Sequence, residues 1–178
     1  GDVRYGILRS LDIGGDYAAS MLSVIHNAQA YHDGSVTADQ VGVTALTATS
    51  LRIELEYPAA YALSLLDEPC ARPVPEWTVD AHGGDWTELA NIVTSGPYLL
   101  TAWDHDDYMV LNKNPDYFDA DNVQIEQVKM WMVDEPTALQ MYRDGVMETT
   151  GVPLDEMSAI KQAPCLSQEL YIAPTPCT

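Results

Sequence analysis

Apolar residues recur at helical spacing as the chain opens, with Val3, Ile7, Leu8 and Leu11 on one face and Asp2 placed to cap the helix. Asp12-Ile-Gly-Gly-Asp16 breaks that pattern. A second amphipathic helix is predicted beyond it, carrying Tyr17, Met21, Val24, Ile25, Ala28 and Tyr31 and ending at His32-Asp-Gly-Ser35. The period then changes to two. Leu51, Ile53, Leu55 and Tyr57 alternate with Arg52, Glu54 and Glu56, which predicts a half-buried strand over 51–57 paired with 41–46 across Thr47–Ser50. Pro58 starts a short helix through Leu66, prolines 69, 73 and 75 exclude regular structure, and a helix over Glu76–His82 stops at Gly83-Gly84.

The later pattern predicts a hairpin of Tyr98–Asp104 and Tyr108–Lys113 turning at His105-Asp106, then a turn at Asn114-Pro-Asp-Tyr117. A strand over 123–133 has a phase slip between Ile125 and Val128 that reads as a bulge. Helix 136–144, strand 146–150, helix 153–162 and strand 170–173 complete an alternation that fits an α/β class, a mixed sheet with flanking helices.

Composition narrows the function. At 178 residues, 47% hydrophobic and 20% charged, the chain is globular and long enough for one medium domain or two very small ones. Eight basic residues against 27 acidic ones give a net charge of −19. Nucleic acids and anionic lipid surfaces are repelled by such a field, because both are bound largely through Lys and Arg. Cys70, Cys165 and Cys177 have no CxxC spacing and no neighbouring His cluster, so zinc, redox-motif and haem-attachment readings fail. No apolar run reaches membrane-spanning length, and no basic leader stands at Gly1. The chain is therefore either cytosolic or a piece of a longer exported protein.

No pattern supports catalysis. His105, Asp106 and Asp107 fall at a hairpin tip, where polar residues collect for turn chemistry. His26 and His32 do not share a helix face, and His82 stands alone. The pairs Asp67/Glu68 and Asp155/Glu156 diverge as sequence neighbours, whereas glycoside cleavage needs carboxylates facing each other. The double glycines lack the spacing and Lys of a phosphate loop, and no GxSxG or HExxH occurs. Ten Tyr and four Trp against one Phe form an amphipathic aromatic set, suited equally to a wet cleft and to a core with polar rims.

From Gly42 onward the order of features becomes specific. It runs Val43-Thr-Ala-Leu46, Ser50-Leu-Arg-Ile-Glu-Leu-Glu-Tyr-Pro58, Tyr61-Ala-Leu-Ser-Leu-Leu66 and Pro73-Val-Pro75. Gly84-Asp-Trp-Thr87, Asn91-Ile-Val-Thr-Ser-Gly-Pro-Tyr98, Val110-Leu-Asn-Lys-Asn-Pro-Asp-Tyr117 and Tyr142-Arg-Asp-Gly145 follow. This order, with the Asp2–Leu11 helix and the Tyr17 region, resembles the solute-binding proteins of oligopeptide and dipeptide ABC importers, the bacterial extracellular family 5.

The resemblance implies a partial first lobe of a two-lobed binding protein, with helices and a hairpin over 1–90 and an α/β part over 91–178 leading to the hinge. It implies a non-catalytic, extracytoplasmic receptor without cofactor, lipid-anchored in some settings. That receptor would hand a peptide or similar small solute to a membrane permease, with the second lobe supplied by the rest of the same protein. Nickel complexes and sugars are also served by the family. A solute-sensing domain of a regulatory protein and a hydrolase with an unrecognised site remain the other readings. Three stretches match cleft-lining positions: the Tyr17 region, Asp67–Cys70, and the 149–153 loop with Thr150, Gly151 and Val152. Tyr17 would pack on the ligand, and Gly151 would let a ligand approach the backbone. Glu68 either pairs with a ligand cation or is a solvated loop acid. The resemblance also implies that Cys177 pairs with the second lobe.

Overall fold

A computed structural model describes residues 1–172. It contains helices and two antiparallel sheets, and the chain divides into two units, Gly1–Val93 and Thr94 onward.

In the first unit, α1 (Asp2–Ile13) buries Ile7, Leu8 and Leu11, the face its periodicity predicts. Its cap is Gly1 rather than Asp2, which sits inside the first turn. Gly6 faces the backbone of 72–74. A Cβ there would overlap the Arg72 carbonyl oxygen and lie 3.1 Å from Val74 N. The Val74 amide, in turn, donates to the Asp2 carbonyl at 3.1 Å. Next come α2 (Gly15–Leu22) and α3 (Ala28–His32).

The single helix expected over 17–31 is thus two helices joined by turns on either side of one bridge residue, Ile25. Ser23 ends α2 by donating its hydroxyl to the Ser20 carbonyl at 2.7 Å. Ile25 then bridges Leu55, His26 N donates to Glu54 O at 2.9 Å, and Glu56 N donates to Val24 O at 2.8 Å. Asn27, at φ 58°, turns the chain into α3. Val24, Ile25 and Ala28 are buried in this arrangement, as they would be on a helix face. The helical period therefore could not separate the two outcomes, and the backbone partners offered by 54–56 decide between them.

The hairpin is β1 (Val43–Thr47) with β2 (Ser50–Ile53), paired from Val43↔Ile53 to Thr47↔Ser50. The strand is shorter than the alternation suggests. Its continuation at Glu54–Glu56 pairs with Val24–His26 instead, and Leu51, Leu55 and Tyr57 are exposed rather than half-buried. The Pro58 helix forms only as α4 (Ala62–Leu65), while α5 (Glu76–His82) matches its expected bounds and ends where Gly83 takes φ 56°. The core of this unit is one cluster that includes Ile7, Leu11, Leu22, Ile25 and Val43.

The second unit opens with β3 (Tyr98–Asp104) and β4 (Tyr108–Lys113), the bounds the alternation predicts, with Asp106 at φ 66° in the turn. The Asn114 turn forms as read. Asn114 is buried and bonded at both polar atoms of its side chain: the amide nitrogen donates to Gly96 O at 2.8 Å and the oxygen accepts from Asp116 N at 3.0 Å. β5 (Gln127–Trp131) pairs with β4 in unbroken register, so the expected bulge near Ile125 is absent. The phase slip instead marks residues that precede the strand. The irregularity lies on β3 between Leu100 and Ala102, where the hydroxyl of the extra residue, Thr101, donates to Val110 O at 3.2 Å.

α6 (Glu135–Arg143) starts at Asp134, whose carboxylate accepts from Thr137 N at 3.0 Å, and closes before Gly145 at φ 72°. The strand expected over 146–150 does not form. A strand needs a neighbour for its amides and carbonyls. Here Val146 N turns back to Met141 O at 2.8 Å, and no strand among the described residues pairs with the segment. The helix expected from Pro153 begins later, as α7 (Met157–Gln162), and α8 (Leu166–Glu169) follows. Residues 170–172 are not a strand, and Ala173, the last residue of that expectation, lies outside the described residues, as does Cys177. Cys70 is buried and Cys165 exposed, both as free thiols.

Two outcomes follow from this packing. Gly6→Ala is expected to destabilise the protein by about 1–3 kcal/mol, the usual cost of forcing atoms into a close backbone contact. Gly84→Ala, where an added Cβ meets nothing within 4 Å, is expected to leave the melting temperature within experimental error in the same thermal scan.

The second outcome concerns Glu56, which accepts from His26 Nδ1 at 2.8 Å and from Asn27 N at 3.1 Å. These bonds, the Asn27 amide first and His26 second, hold its carboxyl below the ordinary carboxylate value. A lowered folded value means the stabilisation is complete above the unfolded carboxylate titration and is lost as pH falls through the folded one. Glu56→Gln is therefore expected to lower the melting temperature at pH 7 and to converge with the wild type in acid. A constant difference between the two from pH 7 to pH 2.5 would count against this lock.

Candidate ligand-binding site

Two groups of the anticipated residues come together, one in each unit. In the first unit, Tyr17 stands in the opening turn of α2, on the helix that the periodicity predicts for it. Its ring is 58% exposed. The hydroxyl donates to Glu68 Oε2 at 3.1 Å across 51 residues of sequence. Glu68 lies directly ahead of the Pro69–Ala71 turn that follows α4. The hydrogen bond to the carboxylate, then its negative charge, raise the Tyr17 hydroxyl above its ordinary value. At neutral pH the phenol keeps its proton and the carboxylate accepts it.

Cys70 follows two residues later and is buried, with burial as the main cause of a raised thiol value. It is an apolar wall there rather than a nucleophile. The surface made by Tyr17 and Glu68 thus offers one open aromatic face beside one carboxylate. Such a pair can stack on an apolar group while attracting an ammonium.

In the second unit, Thr150, Gly151 and Val152 line a hollow of about 390 Å³. Leu139 of α6 and Ile160 of α7 form its buried floor, and Tyr142 and Glu169 also line it. The Tyr142 hydroxyl donates to Glu169 Oε2 at 2.6 Å, which raises the Tyr142 value. Thr150 donates its hydroxyl to the Gly151 carbonyl at 3.2 Å. A Cβ added at Gly151 would meet nothing within 4 Å, so the glycine leaves backbone open to an incoming group. The hollow has an apolar floor and a polar rim, the usual build of a small-molecule site. The loop does not leave the end of a strand as expected. It leaves the turn after α6.

Sequence reading missed Tyr142 and Glu169. The i, i+3 pair Leu139 and Tyr142 on α6 was the available signal, but it reads as an ordinary helix face, and Glu169 lies in a stretch without period. Among the described residues no three His, Cys, Asp or Glu side chains are grouped to hold a metal ion. His105 is not among the residues that line the hollow; its ring centroid lies 4.2 Å from that of Trp103, beside the hairpin turn.

The chain is 36% identical over 158 residues to the dipeptide-binding protein DppE of Bacillus subtilis, covering 87% of this chain and 29% of that protein. It is 33% identical to the periplasmic oligopeptide-binding protein OppA of Salmonella typhimurium, covering 82% of this chain and 27% of that protein. The solved structure of Burkholderia pseudomallei OppA superposes with a TM-score of 0.82 at 28% identity, covering 90% of this chain and 32% of that one. The chain therefore spans about three-tenths of the length of the relatives it matches. Residues 1–177 match the family model described as bacterial extracellular solute-binding proteins, family 5 Middle, and the chain belongs to that family.

Proposed function

We propose that this chain is the central part of the first lobe of an extracytoplasmic receptor for an ABC importer, and that the receptor captures peptides or similar small solutes for a permease. The observation that supports this reading most is the family match over 1–177, whose relatives include dipeptide- and oligopeptide-binding proteins. The rest of the same protein would supply the second lobe, and closure of the two would enclose the solute. The receptor works by capture alone, with no bond made or broken.

Within that reading the two groups of residues have distinct tasks. Tyr17 packs its exposed ring on the solute while its hydroxyl fixes Glu68. Glu68 then presents a carboxylate to an ammonium, the group at a peptide's amino end. Charge-assisted hydrogen bonds are about twice as strong as neutral ones, so this pairing would orient the solute. The 150–152 backbone, open at Gly151, would supply hydrogen-bond partners to the solute's own amides, an interaction indifferent to side-chain identity.

Calorimetry on the full-length protein with a mixture of short peptides tests the assignment. Glu68→Gln is expected to weaken peptide binding about ten- to a hundredfold, in line with the ~1.5–3 kcal/mol of a hydrogen bond to a charged group. Tyr17→Phe is expected to cost only a few-fold, because the ring remains, and Tyr17→Ala more. Gly151→Ala is expected to keep the melting temperature and lose affinity. Peptide affinities unchanged in all of these variants would remove the assigned residues from the site. A protein that ignores the peptide mixture altogether would sink the peptide reading itself.

A further inference from the structure

Three residues on one face of the second unit's sheet form an arrangement separate from the Tyr17–Glu68 pair. Tyr108 of β4 and Trp131 of β5 are register partners, with ring centroids 5.9 Å apart at 61°. Lys129 precedes Trp131 by two residues, so both side chains leave the same face of β5. Its Nζ lies 3.6 Å from the Trp131 centroid and 4.0 Å from the Tyr108 centroid. Two π faces therefore hold the ammonium and replace part of its water shell without neutralising it. In a chain of net charge −19, no carboxylate of the described residues approaches this ammonium within ion-pair distance, whereas Lys113 has Glu126 at 3.6 Å.

In front of it lies a hollow of about 290 Å³, walled by Gln127, Lys129 and Trp131 on one side and by Met147, Glu148 and Thr149 on the other. The Gln127 side-chain nitrogen is already committed to Asn112 Oδ1 at 2.8 Å. Among the donors open to a guest are the ammonium and the exposed Thr149 hydroxyl, which makes no hydrogen bond to the described residues. Trp131 and Met147 supply apolar wall. Glu148 sets the charge limit, because a guest with a second negative charge would meet its carboxylate.

The geometry points to a monocarboxylate subsite at Lys129, clamped by Tyr108 and Trp131, for an organic acid with an apolar body. The carboxylate accepts from the ammonium and the Thr149 hydroxyl, and the body lies along Trp131 and Met147. Two sources share this chemistry: a free organic acid, and the carboxyl end of a peptide. The subsite does not depend on Tyr17 or Glu68.

The test uses the full chain with its lysines ¹³C-dimethylated, the Lys129 signal being the one lost in Lys129→Arg. Ring currents should place that signal upfield in the wild type, and Trp131→Leu should move it toward an ordinary position. Sodium N-acetylphenylalaninate is expected to shift it saturably in the millimolar range, while N-acetylphenylalaninamide and sodium chloride at equal concentration leave it still. Inorganic phosphate above pH 8, a dianion, should shift it at least tenfold less strongly. Ala-Phe and Ala-Phe-amide separate the sources. A shift by the dipeptide acid but not its amide assigns the subsite to peptide ends, and a silent dipeptide beside an active N-acetylphenylalaninate assigns it to free acids. Acid and amide acting alike, or neither acid moving the signal, overturns the subsite. Calorimetry with the same dipeptides reports peptide capture separately, so a failed subsite and a failed peptide reading give different results.

Discussion

The first unit depends on a short exchange of backbone hydrogen bonds between Val24–His26 and the residues that face them. Glu56 donates to Val24, His26 to Glu54, Gly42 to His26 and Glu54 to Gly42, all at 2.7–2.9 Å. These bonds fasten the link between α2 and α3 to the far end of the β1–β2 hairpin. Buried amides need partners, and this arrangement supplies them where the chain passes beneath the helices. It also sets the direction in which α2 leaves, and Tyr17 lies on that helix. Gly42 belongs to the same knot: a Cβ there would lie 2.6 Å from Glu54 O and 2.9 Å from the His26 Cβ.

The two units bury very different amounts of apolar side chain. Ile7, Leu11, Leu22, Val24, Ile25 and Val43 are the large, fully enclosed members of a cluster confined to the first unit. In the second, Leu139 and Ile160 are the buried hydrophobic residues among those described, and the sheet residues of β4 are only half-buried on both faces. Burial of apolar area is the main favourable term in folding, so the first unit carries its own stability while the second is thinly supported.

Where local chemistry alone decides, the sequence was a sufficient guide. β3 and β4 are bounded by clean alternation and a polar turn, α5 is ended by Gly83, and the Asn114 turn follows from proline and a self-bonding amide. Where a partner decides, it was not. The 17–31 stretch satisfies a helical period, yet its middle leaves the helix because Glu54–Glu56 offer hydrogen bonds that a periodicity count does not see. The 146–150 stretch has strand character and no strand beside it among the described residues. The candidate site divides the same way. Tyr17 and Glu68 were named from their likeness to a family, and their mutual hydrogen bond joins positions too distant for any local pattern. Tyr142 and Glu169 came from tertiary placement alone.

The turn after α6 has one more consequence. From Gly145, at φ 72°, to the start of α7 the backbone runs through the candidate loop in no helix or strand, and the residues of 148–152 give no amide to a backbone carbonyl of the described residues. Segments of this kind change length at little thermodynamic cost, since loop closure grows only slowly with residue number. Insertions and deletions here would reshape the wall of both hollows while leaving the sheet and helices in register. That stretch is where the lining of the two hollows can change with little disturbance to the rest of the fold.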